Sequence, residues 1–171
     1  MSRLTVGSIE GLAENSNVIS VPTGHTLNAV DGLQIGGTAV GEWIDYSASQ
    51  TFVSGFTKGN ATVESYYTRV GDVVFMRGWV TLGSTSSITG TLDIGVPIAG
   101  ADTSLKFWGG KSHFRTPNTI GGILCVNSTT FRLIVYTASS TYVGSVDVSP
   151  TVPFTWTTGS EFGWDFYYRA A

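Results

Sequence analysis

A chain of 171 residues is one domain's worth of sequence with room for an appendage. Hydrophobic residues make up 42% and charged residues only 12%, about half the usual charged share, with a net charge of −3. The nine Lys and Arg are scattered singly, which excludes a clustered-cation nucleic-acid surface, and no apolar run approaches the length of a transmembrane helix.

The first forty residues contain no aromatic side chain. Their apolar residues come in short pieces: Leu4 and Val6, then Val18-Ile19-Ser20-Val21 before the turn signal Pro22-Thr23-Gly24-His25, then Leu33 and Ile35 before Gly36-Gly37. Such pieces are too short to build a sheet alone. They need other copies of the chain or a docking surface to be buried, and disorder is the competing description for residues 1 to 16. The N-terminus lacks the apolar core of a signal peptide, so synthesis in a cytoplasm without signal cleavage is expected.

Strand patterns begin beyond Gly41-Glu42-Trp43. In residues 61–68, Val63, Ser65 and Tyr67 share a face, and Val70-Gly71-Asp72 reads as a turn. Residues 73–82 put Val73, Phe75, Arg77 and Trp79 on one side and Val74, Met76, Gly78 and Val80 on the other. A Ser/Thr/Gly connection is expected over 83–90, a strand over 91–96 stopped by Pro97, and weaker strands over 105–108 and 111–115 with Gly109-Gly110 as turn glycines. Residues 120–126 and 131–137 flank the hairpin signal Asn127-Ser128-Thr129-Thr130, and 142–148 forms a further strand. In the last strand Phe162, Trp164, Phe166 and Tyr168 alternate with Glu161, Gly163, Asp165, Tyr167 and Arg169, which predicts an aromatic face in a core. No helix longer than a turn or two is expected. The fold class is all-β, an antiparallel β-sandwich or jelly-roll-like domain over 42–171 preceded by an extended N-terminal arm over 1–41.

The same residues offer little chemistry. Nucleophile-elbow, zinc-protease, P-loop and dinucleotide motifs are all missing. The single Cys125 lies in an apolar run and reads as a buried small hydrophobe, while His25 and His113 have no ligand spacing. Asn60-Ala61-Thr62 and Asn127-Ser128-Thr129 match the glycosylation sequon but read as turn residues. No enzymatic activity, cofactor or metal is expected. Among the five tryptophans, Trp79, Trp156 and Trp164 sit in core-like patterns. Trp43 and Trp108 remain as candidate exposed, ligand-contacting aromatics, with core or interface packing as the competing role for both.

Two stretches resemble structural proteins of tailed bacteriophages. Residues 4–12, Leu-Thr-Val-Gly-Ser-Ile-Glu-Gly-Leu, with Asn17-Val18-Ile19-Ser20-Val21-Pro22-Thr23-Gly24-His25-Thr26-Leu27, resemble the N-terminal segment of short virion proteins from marine and cyanobacterial phages. Tyr67-Thr68-Arg69-Val70-Gly71-Asp72-Val73-Val74, Leu92-Asp93-Ile94-Gly95-Val96-Pro97 and Pro153-Phe154-Thr155-Trp156-Thr157-Thr158-Gly159 are similar to a β-domain at the end of phage fibre and minor structural proteins. The resemblance implies a homotrimer on the virion surface, made in the bacterial host cytoplasm, with an anchoring arm and a displayed β-domain. It brings no catalytic residue. Two roles stay open. One is a capsid decoration, cement protein or knob. The other is a short tail fibre, an adhesin for a host surface glycan. Leu4, Val6, Ile9, Leu12, Val18, Ile19 and Val21 are the expected contacts of the arm with neighbouring copies, the major capsid protein or tail proteins. Nucleic acid and membrane insertion are not expected among its partners.

Overall fold

A computed structural model describes residues 34–35, 38–39, 41–104, 106–115, 118–138 and 142–171. The seven expected arm contacts, Leu4 to Val21, lie outside the described residues. The fold is all-β and antiparallel throughout. Strands β1 (Gln34–Ile35) and β2 (Thr38–Ala39) pair only with each other. The remaining ten strands form one sheet: β3 (Ile44–Asp45), β4 (Phe52–Thr57), β5 (Thr62–Val70), β6 (Val73–Thr81), β7 (Ser87–Gly95), β8 (Lys106–Arg115), β9 (Thr119–Asn127), β10 (Thr130–Ala138), β11 (Val143–Asp147) and β12 (Glu161–Arg169). Their order is β3-β5-β6-β12-β8-β9-β10-β7-β4, with β11 also on β10. Among the described residues the one helical turn is a 3-10 segment at Ser47–Ser49.

The last strand is the centre of the sheet. β12 pairs with β6 along its full length, Glu161↔Thr81 to Arg169↔Val73, and with β8 on its other side, Glu161↔Arg115 to Tyr167↔Gly109. Its alternation is the one expected from the sequence: Phe162, Trp164, Phe166 and Tyr168 are all buried. They meet Val74, Met76 and Val80 of β6, Trp108 and Phe114 of β8, and Phe131 of β10 in one core. The rings interlock: Phe131 lies 4.6 Å from Phe166 and 5.6 Å from Trp164, and Trp108 stacks on Tyr168 at 4.6 Å. Such pairs add to simple area burial.

The sheet buries this face by curling on itself. Phe52 and Phe56 of β4, the far edge, reach Phe162 of the central strand at 6.5 and 5.4 Å. The segment from β3 to β4 then ties the two ends together. Buried Gln50 donates through Nε2 to the Gly95 carbonyl of β7 at 2.9 Å and accepts at Oε1 from the Ser65 hydroxyl of β5 at 2.8 Å. Backbone bonds Tyr46 N–H to Ser65 O and Gly95 N–H to Thr51 O hold the same crossing. Toward the β4 end Arg132 of β10 grips Asp93 of β7 with two bonds (2.7 and 3.1 Å) and Asp147 of β11 with a third (3.1 Å). A two-pronged guanidinium–carboxylate pair is the geometrically demanding kind.

Several local expectations change. The two weak strands over 105–108 and 111–115 are one strand, β8, with a register shift between Trp108 and Ser112. Gly109-Gly110 is therefore an irregularity inside a strand rather than a turn. A Cβ on Gly110 would lie 2.3 Å from the Phe166 Cβ and 2.4 Å from the Asp165 carbonyl, at a φ of +151°, so only glycine lets the chains approach there, while one on Gly109 would push the Tyr167 ring aside. β7 starts at Ser87, inside the stretch expected to be a connection, because Ile88 is buried and Phe56 and Thr57 of β4 supply its ladder partners. β4 itself was not signalled: Ser54 and Gly55 interrupt its pattern, and its pairing shifts register twice. The two sequons fall at turns, Gly59-Asn60 and Ser128-Thr129. Asn127 Oδ1 closes its turn by accepting from the Thr129 N–H, and Asn60 Oδ1 ties its turn to another loop by accepting from the Thr85 N–H, each at 2.9 Å.

Trp164→Ala should cost about 3–5 kcal/mol in chemical denaturation, since it empties a site at the core centre, whereas exposed Asp165→Ala should cost under about 0.5 kcal/mol. Comparable losses would refute the face assignment. Gln50→Ala strands a buried hydroxyl and a carbonyl, each costing about 1–3 kcal/mol. We expect a loss of at least about 2 kcal/mol, or roughly 4–8 °C in Tm at about 2–4 °C per kcal/mol for a chain of this size. A loss below about 0.5 kcal/mol would show that the crossing is held by its backbone bonds alone.

Candidate functional site

The two aromatics singled out from sequence separate. Trp108 is buried, 6% exposed, with its ring packed against both Phe166 and Tyr168 and its Nε1–H donating to Asp102 at 3.0 Å. The expectation that it could contact a ligand is corrected: as a core-facing residue of β8 it belongs to the aromatic stack. Trp43 is 43% exposed and lies over the Arg77 guanidinium at 4.9 Å. Tyr66 approaches the same guanidinium at 5.4 Å, so the cation is lodged between two rings.

That contact leads to a groove of about 400 Å³ on the outer face of the sheet, the face opposite the aromatic core. Pairing register explains its make-up. Glu64 of β5 stands opposite Trp79 of β6, and Trp79 opposite Gly163 of β12, which in turn stands opposite His113 of β8. In the next row Tyr66 stands opposite Arg77, and Arg77 opposite Asp165. Gly163 is the enabling residue. A Cβ there would lie 2.2 Å from the Trp79 ring, so without one the indole settles against the backbone of β12. The core side has the mirror arrangement, with the Trp164 ring against Gly78. Trp79 was expected to be a core residue. The structure places it half-buried on the outer face, lining the groove. The signal that could have found it was its sharing a face with Arg77.

The polar groups here are poorly partnered. Among the described residues, the side chains of Glu64, Arg77, Trp79, His113 and Asp165 make no hydrogen bond to the rest of the chain, and the buried Trp164 Nε1 is likewise without an acceptor. Elsewhere Lys106 holds Asp102, Arg115 holds Glu161 and Arg132 holds two aspartates. Burial holds the His113 imidazole below its ordinary range, helped by Lys111 and opposed by Asp165. Its ring lies 6.3 Å from Trp79. Burial also raises the Cys125 thiol, as expected for an inert core cysteine. No three His, Cys, Asp or Glu side chains among the described residues gather into a metal-holding group. None of the described helical residues form a segment long and apolar enough to cross a membrane.

Compared with protein-family models, with curated proteins and with solved structures, the chain finds no match.

The His113 environment makes a directional prediction. Its NMR titration midpoint should lie below the unperturbed 6.5. Lys111→Met should move it up and Asp165→Asn down; opposite movements would refute the assigned neighbours. The folded chain binds fewer protons at this position than the unfolded one, so the stabilising contribution is complete above pH 6.5 and shrinks as pH falls through and below that value.

Proposed function

We propose that this chain is a non-enzymatic surface component of a bacteriophage particle, a trimeric decoration protein or knob whose N-terminal arm anchors it and whose β-domain is displayed. The observation that carries the reading is the apolar outer face of the domain. Phe75 (β6), Tyr167 (β12), Phe107 (β8), Ile120 (β9) and Tyr136 (β10) are all exposed there, and Phe75 and Tyr167 lie 6.0 Å apart. A lone domain rarely shows so many large apolar groups on one face, and such patches mark contacts with other chains. The division of the chain supports it too. The ten-stranded sheet takes its first strand at Ile44, and β1 and β2 add nothing to it.

A second reading, a short fibre that engages a host surface glycan, is favoured by one specific feature, the groove containing Trp79, Arg77 and Asp165. Both readings place the chain on the virion surface, and they differ in what the outer face meets.

Light scattering of the purified chain should give three times the 18.1 kDa of the monomer, and antibody against it should label purified particles. A monomer at micromolar concentration, or particles free of the chain, would overturn the proposal. A chain beginning at Gly41 should keep its β-sheet circular dichroism yet fail to enter particles in a complementation assay. Normal incorporation would move the anchor into the β-domain.

A further inference from the structure

We propose that the outer-face groove binds a neutral pyranose, with Trp79 as the stacking platform and Glu64, Asp165 and Arg77 as the groups that bond its hydroxyls. The inference deepens the receptor-binding reading and rests on it for its biological setting.

Three features of the groove meet the needs of such a ligand. A pyranose presents a patch of C–H groups on one face and hydroxyls around its rim. The Trp79 indole lies against Gly163 and also lines the groove, and an indole suits the C–H patch. Around it stand two exposed carboxylates and a guanidinium with no hydrogen bond to the described chain, so all are free to accept from or donate to hydroxyls. The Arg77 cation is steadied by Trp43 and Tyr66, so little side-chain freedom is lost when it meets a ligand. The cavity of about 400 Å³ falls in the range of about 300–1,000 Å³ usual for small-molecule sites.

Charge narrows the ligand class. Glu64 and Asp165 are balanced by Arg77 and by Lys111, which stands opposite Asp165 on β8, so the surroundings carry no net charge to draw an acidic sugar. A cationic ligand would compete with Arg77, which already occupies the space between the two rings nearest it. An uncharged ring bearing several hydroxyls satisfies both signs at once.

The test is saturation-transfer NMR on the full chain, with titration of every probe that gives a signal. The probes are methyl glycosides of glucose, galactose, mannose and N-acetylglucosamine, with N-acetylneuraminic acid and choline as charged comparisons. We expect at least one neutral glycoside to bind, with saturation strongest on the C–H protons of one ring face. Trp79→Ala and Asp165→Asn should each weaken it about tenfold or more, and Lys58→Gln, outside the groove, should leave it unchanged. If Trp79→Ala fails to fold, Glu64→Gln and Asp165→Asn, both at exposed positions, carry the same test. Binding of no neutral glycoside, stronger binding of N-acetylneuraminic acid or choline, or indifference to Asp165→Asn and Glu64→Gln would overturn the proposal. Competition of the bound glycoside against particle adsorption to host cells then tests the adhesin role separately. A sugar that binds the chain without slowing adsorption leaves the site standing and removes that role.

Discussion

Core and groove both depend on the alternation of strand β12. Its even-numbered residues, Phe162 to Tyr168, are aromatic and buried, and they supply the middle of the hydrophobic cluster. Its odd-numbered residues include Gly163 and Asp165, which form part of the outer face. Because successive side chains of a strand point to opposite sides, one aromatic run settles both surfaces at once. A slip of one residue against β6 would put four rings into water and Asp165 into the core, so the register has no close competitor. Ladders on both sides hold the strand in place, and the Tyr168 hydroxyl, donating to the Ile98 carbonyl at 2.7 Å, secures its end.

A sheet with one greasy side must cover it. With only a single helical turn among the described residues, the sheet is folded over itself, so β4 at one end lies across β12 at its centre. The polar elements gather where the curl has to be locked. Gln50 spans β5 and β7, and Arg132 spans β7, β10 and β11. Both sit where apolar packing alone would leave strand direction undefined, and directional bonds remove that freedom. Few charged residues are available, and Arg132 is engaged by two carboxylates at once.

Glycine plays a constructive part in the same scheme. Gly78, Gly109 and Gly163 are flat places in the pleat onto which Trp164, Tyr167 and Trp79 settle from neighbouring strands. A missing side chain on one strand is filled by a ring from the next. On the core side this improves packing. On the outer side it leaves Trp79 lying against the sheet, and with Arg77 lodged between Trp43 and Tyr66 it turns a plain face into a lined groove.

The sequence alone determined what depends on short-range periodicity. The alternation in 73–82 and 161–169 located β6 and β12 and sorted their faces, because a period of two follows from strand geometry whatever the partner. The hairpin at Asn127-Ser128-Thr129-Thr130 was legible from its turn residues, and the inert character of Cys125 from its apolar run. Tertiary structure decided everything that depends on which strands become neighbours. Trp79 and Trp108 both occupy plausible strands, and their exposures are the reverse of those expected, although Trp79 does share a face with Arg77. Trp108 is buried because its side of β8 faces Phe166 and Tyr168, while Trp79 lies outside because β6 turns Val80 and Met76 inward instead. Gln50 lies outside any motif, yet it joins β5 to β7, residues 15 and 45 positions away. β4 stayed hidden because its pairing is irregular and its packing partner, Phe162, is more than a hundred residues distant. The groove is likewise a product of register, since Glu64, Arg77, His113 and Asp165 meet only after four strands have aligned.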